Sequence, residues 1–263
     1  MVRLLQWEEC PYHFASAQEY RSFHVTEELP PLASAVLADS PAAEASPAAA
    51  DTLVAALARH QITLPEAQIA ALQRYLTLLW DWNEKINLTR HTDYEKFVSR
   101  DLVDSMQLAR LLHPAEEVLD VGTGGGVPGL LLAILRPDLT VHLCDSVAKK
   151  TNVVQTIARQ LDLPVAVFTC RAEAHLTDTR YDAVVCRAVG PLDKILALFK
   201  PHWAFIGRLL LIKGPKWTEE HNEAKRVGLM RDLELRVAAQ YPMPGTESQS
   251  VILKVWHKGM RER

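Results

Sequence analysis

A glycine-rich segment follows a short apolar run near the middle of the chain. Residues 117–129 read EVLDVGTGGGVPG, so the apolar run ends at Val121 and the glycines begin at Gly122. Glycine lets the backbone approach a ligand closely, and the helix predicted after the loop offers free N–H groups and the positive end of its dipole. Asp145 ends the next apolar run, where a carboxylate can accept both hydroxyl groups of a ribose. Together these features indicate a site for an adenosine-containing cofactor.

Two cofactor classes fit this loop. Residues 124–129 satisfy the GxGxxG spacing of nicotinamide dehydrogenases. Asp120 argues against a dehydrogenase, because a carboxylate ahead of the loop is a poor neighbour for a pyrophosphate but suits the amino group of a methionine moiety. We therefore favour S-adenosylmethionine. A dehydrogenase and a purely structural glycine turn are the alternatives.

Alternating strands and helices must position these residues. Short apolar runs predict strands at residues 117–121, 141–144, 165–169, 183–186 and 209–212. Helical stretches separate them, and near-continuous apolar strands indicate a parallel sheet covered on both faces. Two closing strands, 234–241 and 250–256, predict an antiparallel pair at the sheet edge. The expected fold is α/β, a Rossmann-like class I methyltransferase with a mostly parallel sheet.

Helical patterns precede the first strand. Residues 51–60 are apolar with short polar breaks, and residues 63–66 have the form of a capping box with Thr63 at the cap. The helix predicted behind that box reaches Trp80, and a third helix is predicted from Tyr94 to Leu112. These segments form an N-terminal helical cap ahead of the sheet.

The first fifty residues differ from the rest in charge and composition. They carry seven acidic and two basic residues, and residues 33–50 are nearly all Ala, Ser and Pro. Such a segment buries too little surface to offset the entropy of ordering it. We expect an acidic, flexible extension over 1–50, a helical cap over 51–113, a methyltransferase core over 114–257 and a basic tail over 258–263.

Composition narrows the class of protein further. The chain has 263 residues, 48% of them hydrophobic and 23% charged, as in soluble globular proteins. No apolar run approaches the ~20 residues that span a bilayer, and acidic Glu8 and Glu9 make a secretory signal unexpected. Four cysteines are scattered without CxxC spacing, which predicts neither a metal site nor disulfides. We expect a cytoplasmic monomer that does not bind membranes.

Five motifs occur in a fixed order along the chain. They are WNEKINLT at 82–89, RDLVDS at 100–105, GTGGGVPG at 122–129, CRA at 186–188 and IKG at 212–214. In this order they resemble the bacterial RsmG family, also called GidB, over roughly residues 64–256. The resemblance implies S-adenosylmethionine-dependent methylation of N7 of one guanine in 16S ribosomal RNA, with that RNA or the small ribosomal subunit as partner.

The resemblance also assigns cofactor contacts. It implies such contacts for Gly122 and Val127 in the loop, for the Ala172-Glu173 pair and for Arg187. Glu173 would flank the adenine. The glycine loop and the strand end add two further candidates, Gly124 and Asp145, of which Asp145 would bind the ribose. Glu173 also fits a solvated loop acid beside Arg171.

The implied reaction needs no general base, because guanine N7 has a lone pair and no proton. Alignment of the reacting atoms would then supply most of the acceleration. The candidates for orienting the guanine or the RNA are Lys213, Asn87 and Arg187, and those for phosphate contact are Arg100, Arg90 and Lys85. Lys213 at a strand end and Asn87 in a helix-ending turn also fit structural roles.

Three positions depart from the family pattern. Asp101 stands where the family usually has His, Ser248 where it has Arg, and Gly125 where Pro is common. Asp101 would repel a phosphate or pair with Arg100, and Gly125 costs the loop rigidity. Asp101 and Ser248 keep two alternatives open: a methyltransferase of the same fold acting on a different RNA or small molecule, and a non-catalytic ribosome-binding relative.

Overall fold

The computed structural model describes residues 51–244 and 247–259. The predicted acidic extension, residues 1–50, lies outside the described residues. So do residues 260–263 of the predicted basic tail.

The described part of the chain ahead of the sheet is mostly helical. Its helical segments are α1 (Leu53–Arg59), α2 (Glu66–Asn83), α3 (Tyr94–Lys96), a π-helical segment (Phe97–Leu102) and α4 (Val103–Ala109). The last three run on without a break, so the third predicted helix forms but contains a π-helical segment. No helix in the described part of the chain is both long and apolar enough to cross a membrane.

The predicted capping box at Thr63 is wrong. Helix α2 begins at Glu66 behind Pro65, and no side chain caps it. Leu64 precedes a proline, which disfavours helical backbone at that residue, so the helix cannot start as early as Thr63 requires. Helix α1 does have a side-chain cap, because Thr52 Oγ1 accepts a hydrogen bond from the Ala55 N–H at 3.2 Å.

One mixed sheet forms the centre of the described structure. Its strands are β1 (Glu117–Val121), β2 (Thr140–Asp145), β3 (Ala166–Thr169), β4 (Tyr181–Arg187), β5 (Ile206–Lys213), β6 (Leu233–Pro242) and β7 (Gln249–His257). They lie in the order β3-β2-β1-β4-β5-β7-β6. Strands β1 to β5 are parallel, and β7 runs antiparallel to β5 and β6. The predicted parallel sheet with an antiparallel edge pair is confirmed.

Helices cover both faces of the sheet. They are α5 (Gly129–Leu135), α6 (Ala148–Gln160), α7 (Ala172–His175), α8 (Leu192–Phe199) and α9 (Trp217–Arg226). The core on one face joins α1, α2 and α4 to α5 and α6, and the core on the other face includes α8 and α9. The strand order reverses between β1 and β4, so the crevice at their carboxyl ends is where such sheets bind ligands.

Candidate active site

The glycine loop, residues 122–128, connects β1 to α5 at the carboxyl edge of the sheet. Gly122, Gly124 and Gly126 have φ angles of +74°, +58° and +96°. This is the left-handed region that side chains disfavour and glycine adopts freely. A Cβ on Gly126 would also lie 2.6 Å from Leu130 Cδ1. The glycines are therefore required by the path of the backbone.

Most N–H groups of this loop already have acceptors within the protein. Those of residues 122–123 donate to the Cys144 carbonyl and those of residues 126–127 donate to the Thr123 carbonyl, at 2.8–3.2 Å. A pyrophosphate is bound by loop N–H groups that are free to point at it. This loop has few to offer, which disfavours the dinucleotide alternative.

Two carboxylates adjoin the loop. Asp120 is fully buried and accepts the Gly129 N–H at 2.9 Å, while Asp145 accepts the N–H groups of Gly124 at 3.1 Å and Val147 at 2.9 Å. Burial raises the pKa of Asp120 to about 6, so this carboxyl is mostly ionised at neutral pH. The surroundings of the loop are negative and suit a cationic ligand better than a phosphate.

Arg187, at the end of β4, lies in a cluster of ion pairs. Its Nη2 pairs with Asp101, and its Nε lies 3.7 Å from Asp104 Oδ2. His91 Nδ1 lies 2.8 Å from the same Asp101 oxygen, and the Tyr241 hydroxyl donates to Asp104 at 2.7 Å. Burial lowers the pKa of Arg187, but the two carboxylates outweigh it and the pKa is raised. Arg187 is therefore a permanently charged group held by two carboxylates.

The position of Asp101 corrects the expectation from sequence. Its carboxylate forms an ion pair with Arg187 and contacts His91 Nδ1, but it does not pair with Arg100, and only 2% of the residue is exposed. It lies in the π-helical segment, whose buried face turns toward the end of β4. The expectation that Asp101 repels a phosphate is wrong, because its charge is buried and neutralised inside the protein.

Two guanidinium groups each have one nitrogen without a hydrogen-bond partner in the described part of the chain. Nη1 of Arg187 and Nη1 of Arg100 are buried and have no hydrogen-bond partner among the described residues. Because Asp101 and Asp104 hold the other side of the Arg187 guanidinium, its Nη1 can donate to an acceptor such as a ligand carboxylate. Arg187 thus has the chemistry that its predicted cofactor contact requires.

The Ala172-Glu173 pair lies at the same edge of the sheet. Both residues belong to the single turn α7 that follows β3, with Ala172 buried and Glu173 half-buried. The carboxyl ends of parallel strands meet at one edge, so this turn, Asp145 at the end of β2 and the glycine loop after β1 are brought together. Their cofactor contacts stay predictions.

Lys213, at the end of β5, holds a neighbouring loop. Its Nζ donates to the Gly190 carbonyl at 2.6 Å and lies 2.6 Å from the Glu220 carboxylate, and only 9% of its side chain is exposed. These contacts tie the segment after β4 to α9. They are the contacts of a structural brace, so the predicted role of Lys213 in orienting the guanine gains no support from them.

The turn after α2 is organised by a residue that sequence analysis missed. Asn83 Oδ1 accepts hydrogen bonds from the Leu88 N–H at 2.8 Å and the Thr89 N–H at 2.9 Å. Asn87, the residue predicted to orient the substrate, is exposed in the same turn. The available signal was the tendency of Asn to bond the backbone a few residues on and so to end a helix.

The predicted phosphate contacts lie on or beyond this turn. Lys85 and Arg90 are exposed, and the Lys85 ammonium lies 5.0 Å from the centre of the Trp82 ring. Arg100 is more enclosed, in the π-helical segment. The structure brings Arg100 near the Arg187 cluster, since its charge acts on Asp104, and leaves Lys85 and Arg90 on the outer surface.

Helix α2 packs directly on the glycine loop. The buried Tyr75 hydroxyl donates to the Gly125 carbonyl at 2.9 Å, a contact that sequence analysis did not foresee. A Cβ on Gly125 would lie 3.0 Å from Leu79 Cδ1, so a larger residue there would press on α2. The structure thus explains glycine at this position, and Tyr75 supplies restraint that the loop would otherwise lack.

Comparison with known proteins finds a family model and named relatives that match this chain. The model of the family described as rRNA small subunit methyltransferase G matches residues 68–242. A Rhodopirellula baltica protein named ribosomal RNA small subunit methyltransferase G is 50% identical over 188 residues, which cover 72% of this chain and 81% of that protein. A protein of the same name from Anaeromyxobacter sp. is 37% identical over 193 residues, covering 72% of this chain and 88% of that protein.

Proposed function

Because the chain belongs to the rRNA small subunit methyltransferase G family, we propose that it transfers a methyl group from S-adenosylmethionine to N7 of a guanine in 16S ribosomal RNA. The observation that carries the cofactor assignment is the glycine loop itself. Its N–H groups are largely used within the protein, and the carboxylates of Asp120 and Asp145 adjoin it. A cationic cofactor fits these surroundings, and an anionic dinucleotide does not.

The residues present match the parts of S-adenosylmethionine. Asp145 would accept the ribose hydroxyls, and the Ala172-Glu173 turn would flank the adenine. Asp120 would bind the amino group of the methionine moiety. Arg187 Nη1 would donate to the methionine carboxylate. When bound, this cofactor supplies a methyl group on a positively charged sulfur.

The work left to the chain is binding and alignment. Guanine N7 carries no proton, so no residue has to remove one, and positioning of the base accounts for the main gain in rate. Arg100 Nη1 has no hydrogen-bond partner among the described residues, which supports a contact of Arg100 with the RNA near the crevice. Lys85 and Arg90, exposed on the turn after α2, are proposed to contact phosphates farther out.

The alternative, that the protein methylates a substrate other than this RNA, has lost part of its support. That alternative was based on Asp101 and Ser248, and Asp101 proves to be buried against Arg187. Only Ser248 still removes a positive charge from a position that could face RNA.

We also propose that the protein acts as a monomer in the cytoplasm, where its substrate is found.

The experiment is methyl transfer to small ribosomal subunits that lack the modification. Labelled S-adenosylmethionine is supplied, and the modified base is identified after nuclease digestion. We expect labelled 7-methylguanine at one site. Cofactor binding without any transfer would refute the substrate assignment.

A separate measurement tests the cofactor. At a concentration of about 100 times Kd, the true cofactor should stabilise the protein by about 2.7 kcal/mol, and a nicotinamide dinucleotide should not. The variant Asp145→Ala should bind S-adenosylmethionine more weakly in calorimetry. Unchanged affinity would contradict the role of Asp145.

A further inference from the structure

A network of aromatic and imidazole side chains lies on the sheet face that α7 covers. Its centre is Tyr181, the first residue of β4, which is fully buried. The Tyr181 hydroxyl lies 2.8 Å from His142 Nδ1 on β2 and 2.6 Å from His175 Nε2 at the end of α7. The centre of the Phe168 ring on β3 lies 4.2 Å from that of His175 and 5.7 Å from that of His142. The proposed function leaves this network without a role.

The two imidazoles fix the hydrogen bonds of the Tyr181 hydroxyl. A phenol has one proton to donate, so one imidazole nitrogen accepts that proton while the other donates to the oxygen. Burial lowers the pKa of both His142 and His175, which keeps the two rings neutral at neutral pH and able to share these roles. His142 therefore orients the hydroxyl, and the hydroxyl in turn holds His175.

Helix α7 depends on its surroundings for its position. It is a single turn of four residues, and a helix this short is not stable without tertiary contacts. Ala172 and Leu176, at either end of the turn, are buried in the core. The Leu176 carbonyl also lies 2.8 Å from His202 Nδ1. Tyr181 adds the contact to His175, a hydrogen bond to a side chain of α7 itself.

The same turn carries the residues that we propose for the adenine. Ala172 and Glu173 begin α7, and His175 ends it, about 3 Å of helical rise beyond Glu173. Because the turn is so short, a displacement of His175 moves Glu173 with it. Tyr181 lies at the amino end of β4, yet through α7 it acts on the opposite edge of the sheet, where the cofactor would bind.

We propose that Tyr181 and His175 are positioning residues for the cofactor: they hold α7 where its first two residues flank the adenine, and so set the preference for adenine over other purine bases. The proposal rests on the proposed function, since it takes the cofactor to be S-adenosylmethionine. Apolar burial is non-directional and lets a turn slide, whereas a hydrogen bond to an oriented, buried hydroxyl restrains it in direction as well. Both residues act through α7 rather than by touching the cofactor.

The test compares two substitutions of His175 in the full chain. Glutamine can place an amide near the position of Nε2 and keep the contact with Tyr181, whereas methionine has a similar length and no N–H in its side chain. Both lose the ring contact with Phe168, so their difference isolates the hydrogen bond. His175 is only half-buried, so both variants should fold. Titration calorimetry measures their affinity for S-adenosylhomocysteine and for S-inosylhomocysteine, in which hypoxanthine replaces adenine.

The expected result is a loss confined to the adenine end of the cofactor. His175→Met should bind S-adenosylhomocysteine about three- to tenfold more weakly than His175→Gln, the loss expected for one hydrogen bond, and its preference over S-inosylhomocysteine should shrink. Tyr181→Phe should behave like His175→Met. In methyl transfer the KM for S-adenosylmethionine should rise by the same factor, while kcat at saturating cofactor stays unchanged because the adenine takes no part in the transfer.

The matched control is Tyr94→Phe. It also removes a tyrosine hydroxyl that accepts a hydrogen bond, from Gln73 Nε2 at 2.7 Å, but this hydroxyl lies in the helical cap on α3. Its affinities for both ligands should equal those of the natural protein. Equal affinity and preference in His175→Gln and His175→Met, or a lost preference in the control, would overturn the proposal.

A further outcome separates this proposal from the proposed function. If the natural protein binds S-adenosylhomocysteine no better than S-inosylhomocysteine, there is no preference for the network to set and the proposal is wrong. Absence of methyl transfer to RNA would count against the proposed function alone, because the calorimetry requires no RNA.

Discussion

Replacing Asp101 by Asn tests the cluster around Arg187. The change keeps the volume of the side chain and one oxygen but removes the negative charge from a residue that is 2% exposed. Arg187 and His91 both point at the same oxygen of Asp101. In Asp101→Asn the amide oxygen can still accept a hydrogen bond, while the guanidinium keeps only Asp104 as a charged partner, 3.7 Å from Nε.

The expected cost follows from this geometry. Removing one partner of a buried ion pair costs about 3–5 kcal/mol, because the other charge is left uncompensated. Asp104 still compensates part of the charge of Arg187, and the amide keeps an acceptor, so we expect a loss of about 2–3 kcal/mol in the free energy of unfolding. For a domain of this size that is a fall of about 4–12 °C in melting temperature.

Cofactor affinity should fall together with stability. If Asp101 holds the Arg187 guanidinium in place, its loss lets Nη1 move away from its acceptor, and S-adenosylmethionine should bind about tenfold more weakly. Urea denaturation measures the first effect and titration calorimetry the second. In the double variant Asp101→Asn/Arg187→Lys, the effect of Asp101→Asn on affinity should largely disappear, because it acts through the arginine.

The control makes the same carboxylate-to-amide change on the surface. Glu223 is paired with Arg226 on the exposed side of α9, and exposed pairs contribute little, so Glu223→Gln should leave the urea midpoint unchanged. If Asp101→Asn unfolds at the same urea concentration as this control, Asp101 does not stabilise the protein through Arg187. Lower stability with full cofactor affinity would leave Asp101 a structural role only.

Three other changes probe the loop and the residues that support it. Asp120→Asn should stabilise the protein at neutral pH by up to about 3 kcal/mol, because the pKa of this carboxyl is raised from 3.8 to about 6 in the fold. In the natural protein, protonation of Asp120 stabilises the fold fully below pH 3.8, and this stabilisation is lost as the pH rises through 6. The stability advantage of Asp120→Asn over the natural protein should therefore grow across that window. Urea denaturation at pH 4 and at pH 7.5 measures it, and an equal difference at both would contradict the buried charge. Gly129→Ala should lower the free energy of unfolding by about 1–3 kcal/mol, since its Cβ would lie 2.7 Å from Asp120 Oδ2 and from Leu143 Cδ2. A melting temperature equal to that of the natural protein would show that the backbone shifts to make room. Tyr75→Phe should also cost about 1–3 kcal/mol by leaving the buried Gly125 carbonyl without its donor, and no change in the urea midpoint would show that another donor replaces it.

The sheet could be predicted because its signal is local. Each buried strand, such as β1 or β5, is a short apolar run between helical patterns, and the closing pair β6 and β7 is marked by the turn between them. The start of α2 was mistaken because Pro65 overrides the pattern of Thr63 and Glu66. The π-helical segment has no comparable local signal, since helical periodicity alone does not show where one residue is added to a turn.

The candidate site could be predicted only where strand ends define it. Asp145 and Arg187 are each the last residue of a strand, so a parallel sheet brings them to one edge whatever else the chain does. The partner of Arg187 could not be predicted, because Asp101 is 86 residues away in sequence and reaches it only through the packing of the π-helical segment. Tyr75 was missed for the same reason, since its contact with Gly125 depends on how α2 meets the loop.

The cluster also explains how an arginine can lie in the site proposed for a cationic cofactor. An unneutralised guanidinium beside the glycine loop would repel the positive sulfur and amino group of S-adenosylmethionine. Asp101 and Asp104 together more than balance the charge of Arg187, yet they hold it from one side and leave Nη1 free to donate. Arg187 can therefore bind a carboxylate without making its surroundings positive. On this reasoning the carboxylate at position 101 would support the proposed cofactor contact of Arg187, and a change of substrate would have to come from elsewhere in the chain.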